Sequence, residues 1–445
     1  MVILWTDALL YLLMLAVVWL SIYMLRNPRM KRPLRQIGAS RTGMASLTVL
    51  LFFLAVGMLD SIHFHSKQST EVISLLDHWL TPIRLRSEKT YSAPFATHLA
   101  GKEPIVREDG RSAWGYPRLK YGGAHLQDPQ SEWLGDVTSK AAKGFVKSAL
   151  PTAIVLIVIG ILRRDRRPAL MTAGSFKTVG IVVVAIVAVS GTLLELSAHY
   201  HVMGTDKVGE DVFYQAIKSI RTGLVIGLLT TLIMLPLAIL FGILAGFFRG
   251  WVDDVIQYVY TTLNSIPGVL LIAASILVVQ VYMAKHEEDF TSLAVRADMR
   301  LLFLCLILGV TSWTGLCRML RAETLKLREM EYVQAAYALG VRRRVILFRH
   351  ILPNVMHIVL ISVVLDFSSL VLAEAVLSYI NIGVDPTTHS WGNMINGARL
   401  EMAREPMVWW SLAASFVFMF TLVLAANLFA ETVRNAFDPR RLEHE

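Results

Sequence analysis

The chain has 445 residues, 55% hydrophobic and 17% charged, with a mean hydropathy of +0.53. Soluble domains carry about 25% charged residues, so a compact soluble fold and a disordered chain are both excluded, and two cysteines in this length exclude a disulfide scaffold. The net charge of +9 raises nucleic acid as a partner, and the placement of that charge decides the matter.

A membrane-spanning helix needs about 20 apolar residues, and somewhat shorter runs also cross. In chain order nine stretches qualify or come near: residues 8–25, 42–59, 148–162, 178–194, 222–248, 255–284, 301–317, 351–380 and 406–430. The first is expected to be an uncleaved helix rather than a signal peptide. No basic residue precedes it, whereas Arg26, Arg29, Lys31, Arg32 and Arg35 follow it without a small-residue cleavage site. Cys305 and Cys317 share the seventh stretch. Their helical separation of about 18 Å is too long for a disulfide, so buried thiols are expected.

Lysine and arginine in short loops set orientation. Segments 26–41, 163–177, 249–254, 318–350 and 431–445 hold 23 of them; segments 195–221, 285–300 and 381–405 hold 8. The bias predicts nine helices that start outside and end inside. The positive charge is thereby a topology signal. With no aromatic-rich soluble module beside it, nucleic acid is not an expected partner.

Residues 60–147 form a polar insertion containing Trp79, Trp114, Tyr116, Tyr121 and Trp133. It reads as a small extracytoplasmic subdomain. Residues 1–200 are expected to form an N-terminal membrane region carrying that insertion, and residues 201–445 a denser helical unit punctuated by Pro and Gly. The predicted fold is an all-α integral membrane protein.

Most catalytic signatures are absent. There is no phosphate-cradling Gly-rich loop ending in Lys-Ser/Thr, so ATP binding through that loop is excluded. There is no His-Glu-x-x-His or Cys-x-x-Cys pattern. The pairs His63 with His65 and His199 with His201 read as interfacial or loop histidines rather than metal ligands, and no metal site is expected.

The segment 328–354 is the most informative. Tyr332 to Leu339 are strong helix formers, and Ala335, Ala336 and Ala338 give a thin wall that another surface can approach. Gly340 suits the position just past a helix end. Pro353 suits the first turn of the next span. The residues alone fit a stiff helix held across the inner face, and fit an ordinary basic loop equally well.

Gln334, Ala335 and Ala336, then Gly340, then Ile351, Leu352 and Pro353 after ten more residues, resemble the coupling motif of ABC-importer permeases, which usually opens with Glu. Residues 204–213, with Gly204, Thr205, Asp206, Gly209 and Asp211, resemble the external signature of the C-type permease in the oligopeptide/dipeptide/nickel group. Segments 244–253, 373–378, 390–393 and 435–440 are similar to further family segments, in order. The resemblance covers residues 201–441, and 42–59 matches the family's first span. The other N-terminal spans and the insertion depart from it. Inside the motifs, Gln334 stands for the usual Glu and Glu210 for the usual Arg.

The resemblance implies a multi-pass permease of the bacterial inner membrane. It would share one translocation path with a second, B-type permease. Two ABC ATPase subunits would dock beneath it through Glu331, Tyr332, Gln334, Ala335, Ala336, Gly340 and Pro353. An extracytoplasmic binding protein would deliver peptide. The chain itself would bind no cofactor, and ATP and Mg would belong to the ATPases. Nickel chelates or glutathione-like peptides are alternative cargo within the family.

Ionisable residues inside spans are costly and face a cavity or a partner. Asp366, with Ser368 and Ser369 beside it, and Glu374 are the pathway candidates, with structural pairing as the alternative. Pro267 predicts a kink in the sixth span. Trp409 and Trp410 predict an interfacial anchor. Two readings from other classes remain, a membrane enzyme using Asp366, Glu374 and a histidine, and a scaffold whose insertion binds a partner. The first lacks paired motifs, and co-purified subunits distinguish both from a permease.

Overall fold

In a computed structural model, residues 4–26, 31–65, 72–106, 112–162, 172–286, 288 and 292–437 are described. The helices are α1 (Trp5–Arg26), α2 (Lys31–Ala39) and α3 (Arg41–Asp60). The insertion follows, with β1 (His63–His65), β2 (Val72–Ser74), α4 (Leu75–Trp79), α5 (Thr81–Arg84), β3 (Glu103–Val106) and β4 (Ser112–Gly115). Then come α6 (Pro129–Leu162), α7 (Ala173–Ser197), α8 (Val212–Phe248), α9 (Trp251–Ser265), α10 (Gly268–Lys285), α11 (Leu293–Ser312) and α12 (Thr314–Arg328). The chain ends through α13 (Glu331–Ala338), α14 (Arg343–Ile346), α15 (Leu352–Tyr379), α16 (Trp391–Glu401) and α17 (Trp410–Phe437). The four strands form two antiparallel hairpins, β1 with β2 and β3 with β4.

Among the described residues, seven helices are long and apolar enough to cross a membrane: α3, α6, α7, α8, α10, the continuous run Arg343–Tyr379, and α17. They coincide with seven of the nine expected spans. The other two expected stretches fall on α1, whose apolar run is the shorter Trp5–Trp19, and on α11. The latter opens with Arg296, Asp298 and Arg300. Asp298 is satisfied internally, because both the backbone N–H and the hydroxyl of Thr6 on α1 donate to its carboxylate.

Two boundaries differ from the sequence reading. The insertion is shorter than 60–147, because α6 starts at Pro129 and takes residues 129–147 into its helix. The expected sixth span is two helices rather than one kinked helix. Proline disfavours α geometry at the residue before it, and Ile266 is extended at φ −90°, ψ 130°. Helix α9 is therefore a separate amphipathic element whose buried Asp253 pairs with Arg321 at 2.6 and 2.7 Å. Pro353 stands in the first turn of α15, as the sequence suggests, but the helix does not start freshly there. A π-helical turn, Leu347–Ile351, joins α14 to α15, and the Leu352 N–H reaches the Leu347 carbonyl. The wider turn accommodates a residue that brings no donor. The arginine-rich residues 163–171 and the last three residues of segment 435–440 lie outside the described residues.

The chain divides into two compact units that interleave in sequence: Met1–Ile3, Leu34–Gly223 and Thr388–Ala425 in one, Leu4–Pro33, Leu224–Thr387 and Ala426–Glu445 in the other. In the first, Leu76, Leu80 and Ile83 of the insertion pack with Phe213 and Tyr214 of α8. In the second, α8, α9, α12, α13 and α15 share a core that includes Met234, Tyr260, Trp313, Leu320, Val333, Ile351 and Val355. Cys305 and Cys317 are buried free thiols in this second unit.

Candidate functional site

The segment singled out by its Ala and Gly pattern is a helix. It runs Glu331–Ala338, one residue earlier at each end than the sequence suggests. Val333 and Ala336 are buried, which fixes one face in the core. Tyr332, Tyr337 and Leu339 are exposed, Leu339 at 83%, so the opposite face offers apolar and aromatic surface. Gly340 has φ +73°. Its N–H donates to the Tyr337 carbonyl at 3.1 Å, and the Val341 N–H to the Ala336 carbonyl at 3.1 Å. These are the two bonds of a Schellman closure, which needs a left-handed residue at this position.

Polar contacts hold this helix to its neighbours. The Gln334 side-chain amide donates to the Arg328 carbonyl at 3.0 Å, bridging to the end of α12. A carboxylate at that atom could not donate, so the Gln has a physical consequence here. Asn354 of α15 donates to the Tyr332 hydroxyl at 3.0 Å. The Arg343 guanidinium sits 5.9 Å from the Tyr337 ring and 5.8 Å from the Phe248 ring, within cation–π range. Arg328 donates to the Phe247 carbonyl at the end of α8 at 3.0 Å. These contacts join α13 to α12 and α15 directly, and to the end of α8 through Arg343 and Arg328. Glu331 lies in the first turn, where a carboxylate favours the helix dipole. Ala335 stands on the exposed side. Pro353 follows the π-helical segment by two residues, in the first turn of α15.

The external signature is a folded loop. Gly204 and Gly209 have φ +71° and +78°, and a Cβ at Gly209 would collide with the Glu88 carbonyl. Asp206 accepts from the N–H groups of Val208 and Glu210, both at 2.9 Å. Asp211 caps α8, accepting from the N–H groups of Phe213 and Tyr214 at 2.9 and 3.2 Å. The Thr205 hydroxyl donates to the Thr90 carbonyl at 2.9 Å and accepts from the Ser92 N–H at 2.7 Å. Glu210, which stands for the usual Arg, accepts from the Gln215 amide at 2.7 Å.

This loop is clasped to the insertion by His201. Its Nδ1 lies 2.7 Å from Asp211 and its Nε2 3.4 Å from Glu88. Glu88 also accepts from the N–H groups of Lys120, Tyr121 and Gly122. Burial opposes charge on both partners, but the mutual bonds outweigh it. Thus Glu88 falls to about 2, helped by His201 and the three backbone donors. His201 rises to about 9 through Asp211 and Glu88. His201 is therefore a buried ion-pair member, and His199 packs against the His125 ring at 5.1 Å. Among the described residues no group of three or more His, Cys, Asp or Glu could hold a metal ion.

The expected tryptophan anchor splits. Trp409 is half exposed, but Trp410 is buried and donates from its indole to the Thr205 carbonyl at 2.8 Å. Glu88 and Trp410 were not legible as site residues, because their partners lie far away in sequence. Helix α15 carries Asp366 and Glu374. Asp366 is half-buried, and among the described residues no group donates to its carboxylate. Glu374 is buried and accepts from Ser378, one turn further along the same helix, at 2.7 Å.

Comparison with known proteins gives a consistent result. Residues 238–443 match the family described as the binding-protein-dependent transport system inner membrane component. The chain is 32% identical over 243 residues to a putative peptide permease protein of Brucella suis biovar 1, covering 54% of this chain and 73% of that protein. It is 30% identical over 243 residues to the dipeptide transport system permease protein of Lactococcus lactis subsp. cremoris, covering 55% of this chain and 65% of the relative. It is 29% identical over 244 residues to the glutathione transport system permease protein of Pectobacterium atrosepticum, covering 55% and 73%.

Proposed function

This chain belongs to the family of binding-protein-dependent transport system inner-membrane components, and from that membership we propose that it is the C-type permease of an importer whose cargo is peptide. It is an all-α, multi-pass protein of the inner membrane, and a transport component rather than an enzyme. The peptide cargo is carried over from the relatives named for peptide and dipeptide transport.

In this reading two ABC ATPases dock on α13, a B-type permease completes the path, and an extracytoplasmic binding protein delivers the cargo. The observation that carries the coupling role is the geometry of α13. One face is fixed in the core, the other offers Tyr332, Tyr337 and Leu339, and the Schellman closure at Gly340 stiffens its end. ATP and Mg are held by the ATPases. Their movement shifts α13, and through Gln334, Asn354 and Arg328 it shifts α12, α15 and α8. Cargo moves because its affinity differs between inward- and outward-open states, not because this chain performs a reaction. Asp366 on α15 lies in the path or borders it, since a carboxylate without a protein donor needs water or a cationic group.

Affinity purification of the full chain in mild detergent, with identification of bound subunits, tests the assembly. Two ATPases and a second permease support the reading; recovery of the chain alone, or with unrelated proteins, removes it. Glutathione-like cargo is the second reading, favoured by the similarity to a glutathione permease. Competition of labelled dipeptide uptake by glutathione separates the two.

A further inference from the structure

Helices α6 and α7 are, with α10, the least covered of the long apolar helices. Only 6% and 11% of their most apolar windows are buried, against 50% for α8. Between them runs a cleft of about 770 Å³, within the size range of small-molecule sites. Its walls are apolar, with Ala153, Leu156, Ile157 and Gly160 from α6 and Phe176 and Val184 from α7. The polar lining residues are Thr172 and Lys177, both at the start of α7.

That end of the cleft is cationic. Lys177 is exposed, and among the described residues no carboxylate pairs with it. Arg41, at the start of α3, lays its guanidinium over Gly174 in the first turn of α7, where an added Cβ would meet Nε at 3.1 Å. Arg41 has no carboxylate partner among the described residues either. The cleft is therefore apolar along its length, with Lys177 in its lining at one end and Arg41 against the neighbouring first turn of α7. The basic-residue bias assigns that end to the cytoplasmic side.

We propose that the α6–α7 cleft binds an anionic phospholipid of the cytoplasmic leaflet, with an acyl chain against Ile157 and Phe176 and the phosphate between Lys177 and Arg41. Charge complementarity selects this occupant over a helix of another subunit. A helix filling the cleft would have to bring a carboxylate to the Lys177 end, whereas a phospholipid carries chain and phosphate in one molecule. The α6–α7 pair lies outside the region matched to the family. The site thus gives these two helices a task of their own, fastening the N-terminal region to the inner leaflet.

Native mass spectrometry of the full-length protein in detergent, titrated with palmitoyl-oleoyl-phosphatidylglycerol or palmitoyl-oleoyl-phosphatidylcholine, tests this. Wild type should bind phosphatidylglycerol in preference to phosphatidylcholine. Each cation near a surface contributes on the order of fivefold, so Lys177→Gln with Arg41→Gln should remove most of that preference, about 20-fold. Gly180→Leu fills the cleft without meeting any atom of the chain at its Cβ, and should lower binding of both lipids. Gly160→Leu is the second plug, since its Cβ meets only Phe176, at 4.0 Å. Equal affinity for the two lipids in wild type would overturn the proposal. So would unchanged preference in the double variant, or retained binding in both plugged variants with unaltered helicity and elution. Capture of a protein helix by a photocrosslinker at position 180 would also overturn it, assigning the cleft to a subunit.

Discussion

Replacing Gly340 isolates a backbone effect, because the space around it is open. No heavy atom lies within 4 Å of a Cβ built there, so an added side chain meets no steric wall. The cost comes from φ +73°, which L-residues adopt at a penalty of about 1–2 kcal/mol. Asn tolerates this region best, Ala less, and a β-branched Val least. The two closing bonds at 3.1 Å, from Gly340 to Tyr337 and from Val341 to Ala336, are what the penalty acts against. A cost of this size shifts the balance between closed and frayed ends by a factor of about 5 to 30. The core face at Val333 and Ala336 is untouched, so the protein should still fold and insert. Peptide-stimulated ATP hydrolysis in the reconstituted complex should therefore fall in the order Gly, Asn, Ala, Val, while the yield of the chain stays near wild type. Wild-type stimulation in Gly340→Val, with transport intact, would refute the assignment of α13 as the coupling element.

Four other outcomes follow from the same geometry. A single cysteine at Ser87, which is exposed, on a background lacking Cys305 and Cys317, should react with an impermeant thiol reagent in intact cells; reaction only after the membrane is broken reverses the topology. Gly209→Ala should unseat the signature loop from Glu88 and lower the yield of folded protein, whereas an unaffected yield contradicts the close approach. His201 is raised from 6.5 to about 9, so its contribution is complete below about pH 6.5 and disappears as pH rises through 9; the shift corresponds to about 3 kcal/mol, and melting of the His201→Gln variant should lose the alkaline slope seen in wild type. Asp366→Asn should reduce uptake while assembly and basal ATP hydrolysis persist; a parallel loss of assembly makes Asp366 a structural residue.

Hydropathy made seven spans legible, because each carries enough consecutive apolar residues to register without knowledge of its neighbours. It failed at Pro267, where one apolar run covers two helices and only the extended Ile266 separates them. It also overstated the insertion, since the polar start of α6 around Trp133 and Lys140 reads like a loop. The helix α13 was legible through Ala335, Ala336 and Gly340, whereas the coupling role proposed for it comes from resemblance. Physics alone left a basic loop equally good, because the burial of Val333 and the bond from Gln334 to Arg328 come from packing. The signature residues were visible as a motif, but their partners were not. Glu88 reaches His201, and Trp410 reaches Thr205, across long stretches of chain that no local pattern connects. The π-helical turn ahead of Pro353 has no sequence signal that distinguishes it from a helix start.

The most direct test of the central claim is uptake of a labelled dipeptide into proteoliposomes. These contain the full chain with its co-purified subunits, with and without enclosed ATP on the side of α13. ATP-dependent accumulation that stops when α13 is disabled by Gly340→Val is the predicted result. A complex that assembles and hydrolyses ATP but accumulates no dipeptide, tripeptide or glutathione would contradict the account.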